Sequence, residues 1–320
     1  MYLNKKKLQK IKSDASFRNF FRKKNKKKNS IIVYAKKEKE KNLLIYDSIN
    51  KLLIKNDILA PKLYAENYKK NYIEIEDFGN ETLFRILSKK KKNIIKLYKQ
   101  GISLLIKIQK IKNKKTKNFK KEIYKIPIYS KKILFEETKL FCDWYVPKVL
   151  PKNKVLFLNK KLISEIRLLL SKIKLKNNTF VHRDFHVSNL MKVKKNIAII
   201  DSQDALYGNM AYDLASLVDD VRIKTPDKFK EKIFLEFIKC KKKVELEKLK
   251  NDFEILSVLR NLKIIGIFTR LSIRDKKHSY LKLIPHAWRL IEYRIKKNYK
   301  FKKLKFVMEK YFSKKIRKLK

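Results

Sequence analysis

The sequence predicts an α+β protein whose strands gather before about residue 80 and whose helices dominate afterwards. Three observations carry that expectation. Ser30-Ile31-Ile32-Val33-Tyr34-Ala35 is a β-branched run of strand length. Asn71 to Phe78 alternates apolar and polar residues, as a half-buried strand does, and breaks at Gly79. From Ile94 the period changes: Ile94, Leu97, Tyr98, Gly101, Ile102, Leu105 and Ile108 recur at three- and four-residue steps, the stripe of an amphipathic helix. With 320 residues, 44% of them hydrophobic, the chain can build two lobes and a sizeable core.

The remaining elements follow in order. Lys41 to Lys55 reads as a helix that carries Asp47. Lys110 to Lys132 is dense in lysine around Pro127 and reads as a surface loop. Residues 190–200 fit a hairpin, Leu190 to Val193 and Ile197 to Ile200 around Lys194-Lys195-Asn196, which would fold Asp201 back beside Asn189. Tyr212-Asp213-Leu214-Ala215 opens a further helix. Phe301 to Lys320 sets Leu304, Val307, Met308, Tyr311 and Phe312 on one face and lysines on the other. Such a helix either lies on an anionic membrane or docks on the larger lobe, and docking is the simpler account.

Composition narrows the function classes. The formal net charge is +54, which raises the question of a nucleic-acid partner. Lysine supplies the excess along the entire chain, beside abundant Ile, Asn, Tyr and Phe and only 4 Gly and 6 Pro, the profile that A+T-rich codon usage produces. A dedicated nucleic-acid binder concentrates its basic residues on one element with interleaved aromatics. We therefore expect no specific nucleic-acid partner. No apolar run reaches the roughly 18 residues of a membrane span, so no membrane insertion is expected. The start, MYLNKKKLQKIKS, has basic residues without an apolar core behind them, unlike a secretory signal. Cys142 and Cys240 make neither a disulfide nor a metal framework, which fits a reducing cytoplasm and a monomer.

The chemistry concentrates in residues 180–220, FVHRDFHVSNLMKVKKNIAIIDSQDALYGNMAYDLASLVDD. His182-Arg183-Asp184 is followed five residues later by Asn189, and the apolar run Ile197 to Ile200 delivers Asp201. A carboxylate, a carboxamide and a second carboxylate in that order suit phosphoryl transfer. That reaction asks for positioning and charge neutralisation rather than covalent help. Asp184 can accept the proton of an attacking hydroxyl, while Asn189 and Asp201 offer the hard oxygens that magnesium takes.

This segment resembles the aminoglycoside phosphotransferase superfamily, which also holds choline, homoserine and sugar kinases. With Gln203 to Gly208 and Ala211 to Leu217 it resembles, more narrowly, the bacterial anomeric N-acetylmuramate/N-acetylglucosamine kinases of cell-wall recycling. Ser13 to Arg22, Leu134 to Tyr145, Arg260 to Leu271 and His286 to Glu292 extend the resemblance over nearly the whole chain. It implies a two-lobed, protein-kinase-like α/β (α+β) fold: a small N-terminal lobe with an antiparallel sheet, residues 1–80, and a larger, mostly helical lobe, residues 81–320. ATP and Mg are the implied cofactors, and a small amino sugar the acceptor.

Residue by residue, the resemblance assigns Asp184 as base and Asn189 and Asp201 as metal ligands. Ser13 and Ser16 meet the nucleotide phosphates, and backbone from Glu76 to Phe78 meets the adenine. Glu137, Asp143, Trp144 and Asp204 are candidates near the acceptor and metal. Asp213 and His182 support the catalytic loop. Arg260, Asn261 and Arg270 either contact the acceptor or pair with carboxylates between helices.

The chain departs from the pattern in three places. Asp201-Ser202-Gln203 replaces the DFG of protein kinases, Ser13 stands where the sugar-kinase family usually has glycine, and Tyr34-Ala35 occupies the end of the strand that in typical kinases, though not in that narrower family, bears a phosphate-pairing lysine. Lys36 is the nearest substitute, with Asp47 placed where its acidic partner would be. Two other readings stay open: the same chemistry on another small hydroxylated acceptor, or a nucleotide binder with impaired catalysis.

Overall fold

A computed structural model describes residues 8–11, 18–26, 28–36, 41–89, 94–241, 245–296 and 298–318. The chain divides into two compact units, residues 1–127 with 182–206, and residues 128–181 with 207–320.

The first unit is built on an antiparallel sheet. Its strands are β1 (Leu8–Ile11), β2 (Asn19–Lys23), β3 (Ser30–Tyr34), β4 (Leu63–Asn67) and β5 (Tyr72–Glu76), in the spatial order β1-β2-β3-β5-β4. The alternation read from Asn71 onward is the reason for β5: Ile73 and Ile75 point into the core, and Glu74 faces the other way to meet Lys23 and Ser30. Across the ladder Ile31 pairs with Ile75 and Val33 with Ile73, so one sheet face is continuously apolar. Helix α1 (Asn42–Lys55) covers it with Leu43 and Tyr46.

Beyond the sheet, α2 (Leu83–Lys89) precedes α3 (Ile94–Ile108), which occupies the span its apolar stripe predicts. The lysine-dense segment is not a plain loop. It forms a hairpin of β6 (Lys115–Lys117) and β7 (Ile123–Lys125), closed by Asn118, whose side chain accepts from the backbone N–H of Lys120 and Glu122. Thr116 anchors it by donating to the carbonyl of Ser48 in α1.

The second unit is helical. It begins with α4 (Lys131–Leu140), a π-helical turn over Phe141–Tyr145, α5 (Val146–Val149), α6 (Lys152–Ser171) and β8 (Thr179–Val181). The chain then returns to the first unit for β9 (Leu190–Val193) and β10 (Asn196–Ile199), an antiparallel hairpin. It closes with β11 (Leu206–Gly208), α7 (Ala211–Val218), α8 (Asp227–Cys240), α9 (Leu246–Asp275), α10 (Ile284–Ile295) and α11 (Lys302–Tyr311).

Helix α9, 30 residues long, is the spine of this unit. Gly266 lets it press against the start of the π turn: a Cβ there would lie 2.5 Å from both the Leu140 carbonyl oxygen and the Phe141 nitrogen. Phe141, Tyr145, Trp288 and Phe312 pack as one aromatic cluster, with the Trp288 indole donating to the Tyr145 hydroxyl. The terminal helix is docked, since Leu304, Val307, Met308 and Phe312 are all buried. None of the helices is long and apolar enough to cross a membrane, among the described residues.

Candidate active site

The catalytic segment is folded around the hairpin β9–β10. Ile199 pairs with Leu190, and the Ile200 N–H donates to the Asn189 carbonyl at 3.1 Å, so Asn189 and Asp201 leave the hairpin from adjacent chain ends. Met191 is bridged to Thr82, and the Lys192 N–H donates to the Glu81 carbonyl at 2.7 Å, which ties the hairpin to the start of α2. Ahead of it, the carbonyl of Asp184 accepts two bonds, one from the His186 N–H at 2.9 Å and one from Asn189 Nδ2 at 3.1 Å. The second bond fixes the carboxamide and turns its Oδ1 to the opposite side. Arg183 at φ 77° and Asp201 at φ 64° both sit in the left-handed region, which non-glycine residues adopt uncommonly.

His182 is fully buried. Burial pushes its imidazole down to about 4, against the pull of Asp184, Asp204 and backbone bonds at Ile200 and Asp184, so it is neutral at physiological pH. A neutral, caged ring can brace the loop and is badly suited to be the base.

Asp201 is held by a residue the sequence reading did not assign. Arg18, 4% exposed, donates from Nη2 to Asp201 Oδ1 at 2.9 Å and lies against the rings of Phe20 and Tyr46. The Asp201 side chain keeps 36% of its surface. Burial raises its carboxyl above the usual range; Arg18 pulls it down, and Asp184 and Asp204 push it further up. Helix α1 braces the same turn: the Ser202 hydroxyl donates to Asn50 Oδ1 at 2.6 Å, and Asn50 in turn donates to the Pro61 carbonyl. Asp204 is exposed, accepts from Gln203 and lies 3.7 Å from Arg183.

Lys36 is exposed, and Asp47 is buried on α1 and paired with Lys51 one turn on, at 2.9 Å. Burial raises the Asp47 carboxyl, with Lys51 opposing. Around the end of β5, Glu76 receives Lys28, and Phe78 is half-buried. Between them Asp77 takes a two-pronged bond from Arg22, at 2.5 and 3.0 Å, while Arg22 also reaches Asn80 and the Gly79 carbonyl. Arg22 thus clamps the backbone stretch assigned to adenine. Ser13 and Ser16 lie outside the described residues.

In the second unit, Glu137 is buried and fully engaged: the Tyr129 hydroxyl donates to it and Lys263 Nζ pairs with it at 2.8 Å. Asp143 is exposed and pairs with Lys139 at 2.6 Å. Trp144 is half-buried on the π turn, a helix form that recurs at functional sites. Asp213 is buried at the start of α7.

As a donor set, Asn189 and Asp201 bring hard oxygens. Among the described residues no three His, Cys, Asp or Glu side chains cluster to hold a metal. Two protein oxygens without a full cage fit magnesium, which retains waters and phosphate ligands.

The antiparallel sheet with its hairpin, and the helical unit, are the parts of a kinase-like fold. The chain aligns with ethanolamine kinase from Plasmodium vivax at TM-score 0.61, with 16% identity over 90% of this chain and 82% of that one. It aligns with aminoglycoside phosphotransferase APH(4)-Ia at TM-score 0.63, with 10% identity over 89% and 93%. The chain belongs to the phosphotransferase enzyme family (APH), whose profile matches residues 7–238. Curated relatives include the N-acetylmuramate/N-acetylglucosamine kinase of Pseudomonas putida, 27% identical over 87% of this chain and 80% of that protein. The enzyme of the same name from Neisseria meningitidis serogroup B is 28% identical over 85% and 81%.

Proposed function

We propose that the protein is an ATP- and magnesium-dependent sugar kinase that phosphorylates the anomeric hydroxyl of N-acetylmuramate or N-acetylglucosamine. The observation that carries the chemistry is the β9–β10 hairpin, which brings Asn189 and Asp201 to neighbouring chain ends behind a pinned Asp184. The choice of acceptor is supported by the relatives named for it.

In this reading Asp184 takes the proton of the attacking hydroxyl. The two bonds to its carbonyl fix the backbone from which the carboxylate would act. Asn189 and Asp201 would hold magnesium, and Arg18 favours the ionised form of Asp201 against burial and two neighbouring carboxylates. Magnesium bound with ATP supplies neutralisation of the charge on the transferring phosphoryl group. Backbone from Glu76 to Phe78, steadied by Arg22, would receive the adenine edge, and Ser13 and Ser16 the phosphates. Glu137, Asp143, Trp144 and Asp204 are the proposed acceptor-side residues.

The test is product formation from Mg-ATP with a panel of acceptors: both amino sugars, choline, homoserine and an aminoglycoside. Transfer to the amino sugars is expected, and transfer confined to the other three defeats the assignment. Asp184→Asn should lower turnover by roughly 10²- to 10⁴-fold while nucleotide still binds. Wild-type turnover in that variant removes Asp184 from its role.

A further inference from the structure

Arg260 lies in the middle of α9 with 4% of its surface exposed. Its guanidinium makes no hydrogen bond or ion pair among the described residues, and Nη1 is wholly buried without a partner. That is costly for a group that stays charged at any physiological pH.

The expectation that it pairs with a carboxylate between helices fails: the carboxylates that meet its neighbours one turn to either side are already taken. Ser257 and Lys263 stand one turn before and one turn after Arg260 on the same side of the helix. Ser257 bonds to Asp219, whose two oxygens are held by Arg294 at 2.7 and 3.0 Å. Lys263 pairs with Glu137, which also accepts from Tyr129. Asp220, next to Asp219, lies 3.4 Å from Arg222. Arg294 and Lys263 therefore match Asp219 and Glu137, and Arg260 is left a buried cation with no ion pair of its own. One residue on, Asn261 Oδ1 is also buried with no partner, its Nδ2 being spent on the Ser257 carbonyl at 2.9 Å. An unpartnered guanidinium suits a carboxylate, which it takes two-pronged, and Asn261 Oδ1, about 100° round the helix, is a second orphan left to accept an N–H or O–H.

We propose that Arg260 is the receptor for the carboxylate of an acidic sugar acceptor, the lactyl carboxylate that N-acetylmuramate carries and N-acetylglucosamine lacks, with Asn261 accepting from a neighbouring polar hydrogen. This rests on the sugar-kinase reading and adds to it a residue that discriminates between the two sugars. Binding of the acid gives Arg260 the anionic partner that the protein itself does not supply. A neutral sugar leaves Arg260 as it is.

The experiment compares N-acetylmuramate, its methyl ester and N-acetylglucosamine as substrates and, by calorimetry, as ligands of wild type, Arg260→Met and Arg260→Lys. Wild type should favour the acid over its ester by about 10- to 100-fold in kcat/KM and in Kd, the range for losing a charge-assisted pair. Arg260→Met should bring that ratio close to one, and Arg260→Lys should keep part of it. Without ligand, Arg260→Met should unfold no earlier than wild type, because no ion pair is broken; a structural arginine would show the reverse. Should Arg260→Met fail to fold, the idea is overturned on that count, and the acid-to-ester ratio in wild type and Arg260→Lys still decides the binding claim. Equal treatment of acid and ester by a wild type that phosphorylates N-acetylglucosamine overturns the carboxylate site and leaves the kinase reading standing. A wild type inert towards all three sugars overturns both.

Discussion

At Arg18, the residue just before β2, one buried side chain brings a positive charge to Asp201. Arginine is suited to the task, being permanently charged and less tightly hydrated than lysine, so it tolerates 4% exposure beside Phe20 and Tyr46. Removing it leaves Asp201 among Asp184 and Asp204 with only the hydrogen bond from Gln203 to offset them. Because Asp201 keeps 36% of its side-chain surface, the cost of Arg18→Met should be about 1–3 kcal/mol, below the range for a fully buried pair. Asp201→Asn in the same chain should recover at least half of that loss. Denaturant unfolding of the four proteins checks this, and a coupling near zero means that the pair does not hold the turn. His182 gives a second prediction. Its folded value of about 4 lies below the usual 6.5, so the unfolded chain binds the proton more readily. Stability is therefore complete above pH 6.5 and lost as pH falls towards 4, by about 3 kcal/mol in all. The difference between wild type and His182→Gln across that window isolates the histidine from Asp201 and Asp47, whose raised carboxyls act in the opposite sense. A variant as acid-sensitive as wild type would assign the effect elsewhere. Arg18, Arg22 and Arg294 were legible in one respect only. Among 85 basic residues just 12 are arginine, and these three hold Asp201, Asp77 and Asp219, so an arginine in a lysine-rich chain marks a carboxylate worth finding.

Elements were readable where periodicity had room to show. Helix α3 spans a stripe of 15 residues, and β5 a clean alternation, so both were legible in the residues themselves. The hairpin β6–β7 was not: each strand is three residues long, and lysine occupies both ends of the first. The strand signal needs four to eight residues to separate from chance. The π turn was hidden for another reason, because Phe141-Cys142-Asp143-Trp144-Tyr145 has ordinary helical spacing and only its hydrogen bonding differs. Gly266 is the sequence trace of what happens there, since a glycine inside a long helix costs stability unless packing demands it. Gly266→Ala tests that demand. The methyl group would meet backbone atoms of Leu140 and Phe141 at 2.5 Å, and backbone cannot rotate away. Overpacking of this kind costs about 1–3 kcal/mol, well beyond the roughly 1 kcal/mol that alanine gains over glycine in a helix. Thermal unfolding should show a clear net loss. A neutral or stabilising outcome means that α9 and the π turn have room to part.

Over the whole molecule the dominant unpaired quantity is charge. A formal +54 repels itself over a distance set by salt, about 30 Å at 0.01 M and about 10 Å at 0.1 M. Two opposing effects respond to ionic strength. Screening relieves repulsion among exposed lysines, and it weakens exposed ion pairs such as Lys248–Glu245 and Lys305–Glu309. The second effect is small, since exposed pairs contribute about 0–1 kcal/mol each and are few beside the excess of cations. The pairs that organise the second unit, Arg294 with Asp219 and Lys263 with Glu137, are buried and nearly immune to added ions. Repulsion should therefore win, and the melting temperature should rise as sodium chloride goes from about 0.01 M to about 0.3 M, the range over which the Debye length shrinks most. Over the same range adventitious binding to nucleic acid should fall steeply, as expected when phosphates hold the protein by counterion release alone. A melting temperature that stays flat or drops with salt would mean that surface pairing outweighs the excess charge. The lysines would then be arranged for stability rather than scattered by codon usage.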